Sequence, residues 1–312
     1  MPFARGSGPK LYYDRRGSGE PLLWITGFTI SAAVFDPILP LYEDRFECVV
    51  YDNRASGRSD SPLTLTSIPE FAGDAVRVLD AAGIDSAHVY GLSMGGMIAL
   101  EMAIRFPDRV RGLVVGGTSA GGPRAFRPNV AEFAAAALGS VREAARHPLA
   151  GLLFSPEFRR EHPERVRELL THFAKHRAKP HGMAAHLWAT IYHDTVSRLG
   201  DIQAPTLAMH GSRDVMAPLE NSRMLVERIP DAELAVIEGT GHAYLLERPE
   251  ASRDRMVEWI DRRSPIAAGE PNGDLARAFE PVTRAFGLQV GMMRTGQSLM
   301  HAVAERALGR RG

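Results

Sequence analysis

The chain contains one cysteine among its 312 residues, so no intrachain disulfide can form. This absence excludes the disulfide-stabilised scaffolds that are common among small secreted proteins. Cys48 lies within the apolar run 46–51 and is therefore expected to be a core thiol.

A net charge and a long hydrophobic run are missing as well. Lys and Arg together number 37, and so do Asp and Glu, which gives no indication of a nucleic-acid or acidic partner. No run of about 18 apolar residues could span a membrane, and residues 1–14 lack the apolar region of a secretory signal. We predict a cytoplasmic protein that acts on a small molecule, without stable membrane insertion.

The stretch 87–107 is the most informative part of the sequence. It predicts a short buried strand followed by a helix, and the letters GLSMG between them fit the pattern G-x-S-x-G. A serine on such a sharp turn lies in strained backbone, for which Gly91 and Gly95 leave room. Ser93 is therefore a candidate nucleophile, with the N–H of Met94 as a candidate oxyanion donor. The alternative is that Ser93 only caps an ordinary helix.

Strands and helices alternate along the first 120 residues, which favours an α/β fold with a mostly parallel sheet flanked by helices. Gly27, Asp52 and Ser93 each follow the end of a predicted strand, so they should share the carboxyl edge of that sheet, where ligands bind. The predicted strands are 10–14, 21–26, 46–51, 87–90 and 111–115, and the predicted helices are 31–42, which prolines interrupt, 67–82 and 94–106.

Residues 121–199 break this alternation, because no strand is evident and the segments 130–147, 163–178 and 183–199 favour helix. We interpret this stretch as a helical lid inserted into a core made of residues 1–120 and 200–263. In the second part of the core, strands are predicted at 204–210 and 233–237, and helices at 219–229 and 243–260, with a kink or restart at Pro249.

A serine hydroxyl is a poor nucleophile at neutral pH and needs a base, which a carboxylate usually orients. His242 and Asp214 both follow predicted strands at the same sheet edge as Ser93. Their order in the chain, Ser–Asp–His, is the order expected for this architecture. The alternatives are a surface histidine at 242 and a helix-capping role for Asp214.

These pieces together resemble the α/β-hydrolase superfamily over about residues 10–261, most of all its serine esterases and lactone hydrolases, such as enol-lactone hydrolases and polyketide methyl esterases. The resemblance implies a catalytic triad of Ser93, Asp214 and His242, no metal or organic cofactor, and oxyanion N–H groups from Phe28 and Met94. The matching segments are TGF at 26–28, DNRASGRS at 52–59, GLSMGG at 91–96, GSRD at 211–214 and GTGHAYLLERPE at 239–250.

Within this resemblance, serine rather than aspartate at position 93 argues against epoxide opening and halide displacement. Thr26 departs from the family, which usually has histidine before Gly27, so the support of the oxyanion loop must differ. Asp52 and Arg54 are expected to brace the loop beside the oxyanion hole rather than to act in catalysis.

The lid should set the choice of substrate. The candidate substrate contacts are Trp188 and Tyr192 in the lid and Gly27 in the core. Aromatic residues such as Trp188 and Tyr192 more often mark a core. His172 and His176 have the spacing of a metal pair on one helix, but no third ligand accompanies them, so a solvated or lid-lining face is favoured.

The predicted function is hydrolysis of a carboxylic ester or lactone through an acyl-enzyme. Carbon–carbon bond hydrolysis or perhydrolysis would use the same triad. A non-hydrolytic biosynthetic enzyme or a ligand-binding protein on a hydrolase scaffold is a different class that also stays open.

Residues 264–273 have the composition of a linker, and residues 274–312 favour a helical C-terminal extension with one broad apolar side. That side could fold back on its own domain, contact a second subunit of a homo-oligomer, or bind a membrane surface. Truncation after Ser264 is expected to lower solubility or change the oligomeric state while leaving the triad chemistry possible.

Overall fold

The computed structural model describes residues 3–129, 131, 148–174 and 178–263. The predicted helix at 130–147, apart from residue 131, the linker at 264–273 and the C-terminal extension at 274–312 lie outside these residues, as does His176.

Among the described residues, eight strands, numbered β1 to β8 along the chain, form one sheet in the order β1-β2-β4-β3-β5-β6-β7-β8. The pairs β1/β2 and β2/β4 are antiparallel and every other pair is parallel. The sheet is therefore mostly parallel, as predicted, and its added edge strand β1 was not predicted. The strands are β1 Phe3–Ala4, β2 Leu11–Arg16, β3 Glu20–Ile25, β4 Phe46–Tyr51, β5 Ala87–Leu92, β6 Val110–Gly116, β7 Thr206–Gly211 and β8 Ala232–Ile237.

Helices follow most of the parallel strands, and several more lie between β6 and β7. The α-helices among the described residues are α1 Ile68–Ala82, α2 Met94–Arg105, α3 Pro148–Leu153, α4 Pro156–Glu161, α5 Pro163–Ala174, α6 Pro180–Ile191, α7 Leu219–Arg228, α8 Tyr244–Glu247 and α9 Pro249–Arg263. α8 and α9 meet at Pro249, the predicted point of restart, because proline cannot supply the N–H that a continuous helix needs.

Both faces of the sheet are buried, which explains why its central strands are continuously apolar. In β3, Leu23 and Ile25 pack into the core formed with α1, α2 and α7. Leu22 and Trp24 point the other way, into a core shared with α5, α9 and Cys48. Burial of the Cys48 thiol raises its pKa to about 12, in agreement with the core position expected from the sequence.

The predicted helix at 31–42 is wrong in detail, since the segment forms two short 3-10 helices, Ala32–Phe35 and Leu39–Leu41. Pro37 and Pro40 remove two backbone donors from this segment, and tighter, shorter turns result. The capping box of α1 is present, with the N–H of Ser67 donating to the Glu70 carboxylate at 2.9 Å.

The described part of the insertion between β6 and β7 contains the helices α3 to α6, as predicted. The predicted helix 183–199 divides into α6 and a 3-10 helix, Val196–Asp201. Asp194 causes the break, because its carboxylate accepts the N–H of Val196 at 3.0 Å while its backbone pairs with Gly121 at the start of the insertion.

His193 is buried at this base of the insertion, and burial lowers its pKa to about 4. The unfolded chain takes up a proton near pH 6.5, whereas the folded chain does so only near pH 4. The contribution of this residue to the free energy of unfolding is therefore full above about pH 6.5 and falls as the pH drops, by on the order of 3 kcal/mol.

Urea unfolding at pH 7.5 and 4.5 should show a smaller loss in the free energy of unfolding for His193→Gln than for the wild type. An equal loss in both proteins would show that His193 is not the source of this pH dependence.

Within the described parts of the chain, every helix is too short or too polar to cross a membrane. The cytoplasmic location stays a prediction.

Candidate active site

Ser93 lies on the turn between β5 and α2 in backbone that side chains rarely adopt, with φ 56° and ψ −120°. A Cβ at Gly91 would lie 2.2 Å from the carbonyl oxygen of Gly95, so the turn has no room for a larger residue there. The N–H of Ser93 donates to the carbonyl of Gly116 at 2.8 Å, and its carbonyl accepts from the Thr118 hydroxyl at 2.6 Å. The strained turn is thereby fixed to the end of β6.

Asp214 and His242 form a buried pair in the loops that follow β7 and β8. His242 Nδ1 lies 2.7 Å from Asp214 Oδ2, and the two side chains are 5% and 1% exposed. The other carboxylate oxygen accepts the N–H groups of Met216 and Ala217, which fixes its orientation. With Nδ1 held by the carboxylate, Nε2 is the ring nitrogen free to exchange a proton.

Burial by itself lowers the pKa of His242, but the charge of Asp214 and the hydrogen bond to it outweigh burial. The pKa of His242 is therefore raised above the ordinary value of 6.5. The imidazolium form is stabilised by its neighbour, as a base that takes up a proton during a reaction requires.

The end of β6 brings this pair towards Ser93. A Cβ at Gly117 would lie 3.1 Å from His242 Nδ1 and 3.2 Å from Asp214 Oδ2. Gly116, the preceding residue, is the one whose carbonyl holds the N–H of Ser93. Gly116 and Gly117 thus connect the turn that carries Ser93 with the Asp214–His242 pair at the carboxyl edge of the sheet.

The loop after β3 packs against the serine turn from the other side. A Cβ at Gly27 would lie 3.3 Å from Ser93 Cβ and 3.8 Å from its Oγ, so a side chain there would crowd the serine turn. Phe28 follows in the same loop. Met94 is the first residue of α2, and its N–H therefore has no acceptor within the helix. These are the two predicted oxyanion donors.

Asp52 and Asn53 hold that loop in place. The Asp52 carboxylate, which is fully buried, accepts the N–H of Ala32 at 2.7 Å and of Arg58 at 2.8 Å. The Asn53 side chain donates to the carbonyl of Thr26 at 3.1 Å. These contacts fit the bracing role expected for this segment, and they show how the loop is supported with threonine at position 26.

Glu247 is a supporting residue that the sequence reasoning missed, although it stands in the matched segment at 239–250. Its buried carboxylate accepts the N–H groups of Ser155 and Gly241, both at 2.9 Å, and the Ser155 hydroxyl at 2.6 Å. The N–H of Ala243 donates to the carbonyl of Leu153 at 2.8 Å. The loop that carries His242 is therefore tied on both sides to the insertion.

The rings of Trp188 and Tyr192 contact each other at a tilt of 39°, with centroids 4.1 Å apart, and the two residues are 43% and 67% exposed. They line a cavity of about 120 Å³ beside Glu101 in the middle of α2. None of the residues lining this cavity is a triad candidate, so a substrate-binding role for Trp188 and Tyr192 stays a prediction.

His172 donates from Nε2 to the carbonyl of Ala33, in the first 3-10 helix, at 2.7 Å. In the described ranges, no group of three or more His, Cys, Asp or Glu side chains is arranged to hold a metal ion.

Comparisons with known proteins agree with this architecture. A model of the α/β-hydrolase fold matches residues 20–249. A protein of Azorhizobium caulinodans, provisionally named carbamate hydrolase RutD, is 32% identical over 261 residues, which are 82% of this chain and 97% of that protein.

Two solved structures are similar over nearly their whole lengths. An esterase from Thermogutta terrifontis has 25% identity and a TM-score of 0.70, and the match covers 84% of this chain and 97% of that one. Est816, an N-acyl homoserine lactone degrading enzyme, has 31% identity and a TM-score of 0.67, with 82% and 99% covered. The predicted resemblance to esterases and lactone hydrolases is thereby confirmed, and the chain belongs to the α/β-hydrolase fold family.

Proposed function

We propose that this chain is a serine hydrolase that cleaves a carboxylic ester or lactone through an acyl-enzyme. The observation that carries the proposal is the buried Asp214–His242 pair, joined at 2.7 Å, beside a serine held in strained backbone. Such a pair converts a neutral hydroxyl into a nucleophile.

In this mechanism, Ser93 Oγ attacks the carbonyl carbon while its proton passes to Nε2 of His242. The N–H groups of Phe28 and Met94 stabilise the oxyanion. The tetrahedral intermediate expels the alkoxide, which receives the proton from His242 and leaves as the alcohol. A water molecule then attacks the acyl carbon while its proton passes to His242. The bond to Ser93 Oγ breaks, Oγ takes the proton from His242, and the acid is released.

The similar esterase and lactone-degrading enzyme support an ester or lactone as the substrate. The relative named as a carbamate hydrolase makes a carbamate carbonyl a second candidate for the same machinery. Carbon–carbon bond hydrolysis and perhydrolysis stay open for the same triad. The intact Asp–His pair argues against a scaffold that only binds ligands.

Pre-steady-state kinetics of the full chain with p-nitrophenyl butyrate would test this proposal. We expect a burst of p-nitrophenolate that approaches one equivalent of enzyme, followed by slower steady turnover. If the chain failed to release p-nitrophenolate from the ester and also failed to hydrolyse a γ-lactone or a p-nitrophenyl carbamate, the proposal would be contradicted and a binding protein would be favoured.

The role predicted for Trp188 has its own test. Trp188→Ala should change the ratio of kcat/KM for p-nitrophenyl acetate to that for p-nitrophenyl decanoate, because the indole would border only the bulky acyl chain. Leu187→Ala, at the neighbouring exposed position of α6, is the matched control. An equal effect of Trp188→Ala on both esters would argue for a purely structural role.

A further inference from the structure

His186 of α6 is a fully buried histidine that contacts both loops beside the candidate oxyanion hole. Its Nδ1 accepts the N–H of Thr29 at 3.1 Å, and its Nε2 lies 2.8 Å from the carbonyl of Arg54. Because Nδ1 is an acceptor here, Nε2 carries the proton and donates, which requires the neutral ring. Burial lowers the pKa of His186, which keeps the ring neutral.

Thr29 is the residue after Phe28 and has a φ of 59°, a conformation that a β-branched residue rarely adopts. The insertion holds both of its backbone groups. Its N–H is bound by His186, and its carbonyl accepts the N–H of Ala178 at 3.1 Å. Such a conformation persists only where its surroundings impose it, and the N–H of Phe28 takes its direction from this stretch of backbone.

His186 also packs against aromatic rings and against a loop that is itself anchored. Phe71 of α1 meets its ring edge to face at 5.1 Å, and Phe28 lies 6.1 Å away. The Arg54 carbonyl accepts the hydrogen bond from His186. The residue is anchored by its guanidinium, which binds the buried Asp74 carboxylate at 2.5 and 2.9 Å. One helical turn earlier, a Cβ at Gly182 would lie 2.6 Å from the carbonyl of Ala55, so α6 is seated directly on that loop.

From these contacts we propose that His186 is a positioning residue for the oxyanion hole. Its Nδ1 holds Thr29 at positive φ and thereby directs the N–H of Phe28 towards the point where charge develops on the substrate. The insertion then completes the catalytic machinery as well as covering it. This inference rests on the proposed hydrolase function and on the oxyanion role of Phe28.

Two variants separate this role from simple packing. His186→Asn places an amide oxygen near the position of Nδ1 and keeps the acceptor for Thr29. His186→Gln places an amide nitrogen near the position of Nε2 and keeps only the donor to Arg54. Both lose the ring and its aromatic contacts. His181→Gln is the matched control on the same helix, because that ring bonds to Ser61 away from the oxyanion loop.

With p-nitrophenyl butyrate and the full chain, we expect His186→Gln to lower kcat about 10- to 100-fold with KM within about threefold, since a misplacement of about 1 Å can cost that much. His186→Asn should stay within about threefold of wild-type kcat, and His181→Gln should match the wild type. If His186→Gln does not fold, Ala178→Pro takes its place, because it removes the other hydrogen bond to Thr29 and should lower kcat in the same way.

Equal losses in the Asn and Gln variants, or a loss confined to KM, would overturn the positioning role. This failure differs from failure of the proposed function, in which the wild type itself would not turn over the ester and Ser93→Ala would change nothing.

Discussion

Replacement of Ser93 by alanine is expected to abolish turnover while the fold survives. In subtilisin, loss of the nucleophilic serine lowers kcat by about a million-fold. Alanine tolerates the tight turn no worse than serine does, and the backbone bonds from Ser93 to Gly116 and Gly96 do not involve the hydroxyl. Steady-state kinetics with p-nitrophenyl butyrate, together with thermal unfolding, would check both parts.

Ser56→Ala is a matched control, because this serine is also buried in a site loop but its hydroxyl donates to the carbonyl of Asn53 within the same loop. It should keep most of the wild-type rate. Retention of more than a few per cent of activity by the Ser93 variant would show that another group is the nucleophile.

The second large effect is expected for Asp214→Asn. The amide keeps the shape of the carboxylate but favours the wrong tautomer of His242. The corresponding change in trypsin lowers kcat about ten-thousand-fold. The charge that raises the pKa of His242 also disappears and leaves the lowering effect of burial. The acid limb of kcat/KM, which reports loss of the neutral base in the free enzyme, should therefore lie above pH 6.5 in the wild type and move to lower pH in the variant.

Asp52→Asn distinguishes the triad acid from a bracing carboxylate. Among its described contacts, the Asp52 carboxylate accepts only backbone N–H groups and the Arg58 guanidinium. Loss of its charge should therefore lower the free energy of unfolding more than it lowers kcat. The assignment of the acid would be wrong if Asp214→Asn were near wild type and Asp52→Asn were inactive.

The sheet and the turn that carries Ser93 could be predicted because their causes are local. Continuous apolar strands such as β3 and β5, a glycine-flanked serine and a capping box each leave a pattern over a few residues. The pairing of Asp214 with His242 could be anticipated from the order of the strands, because residues that follow parallel strands gather at one edge.

The support of the site could not be predicted, because it depends on contacts between residues far apart in the chain. His186 reaches Thr29 across 157 positions, and Glu247 reaches Ser155 across 92. A lone histidine in a helix and a glutamate near a proline carry no local sign of these partners. The departure at Thr26 indicated only that the support differs, and the contacts of Asn53 and His186 show where it comes from.

We propose that the Asp214–His242 pair activates Ser93 as a nucleophile. Reaction of the full chain with a fluorophosphonate, followed by intact-mass analysis and peptide mapping, tests it without knowledge of the natural substrate. We expect one equivalent of phosphonyl group on the peptide that carries Ser93, no adduct in Ser93→Ala, and much slower labelling of Asp214→Asn. An adduct on another residue, or equal labelling of the wild type and Ser93→Ala, would contradict the claim.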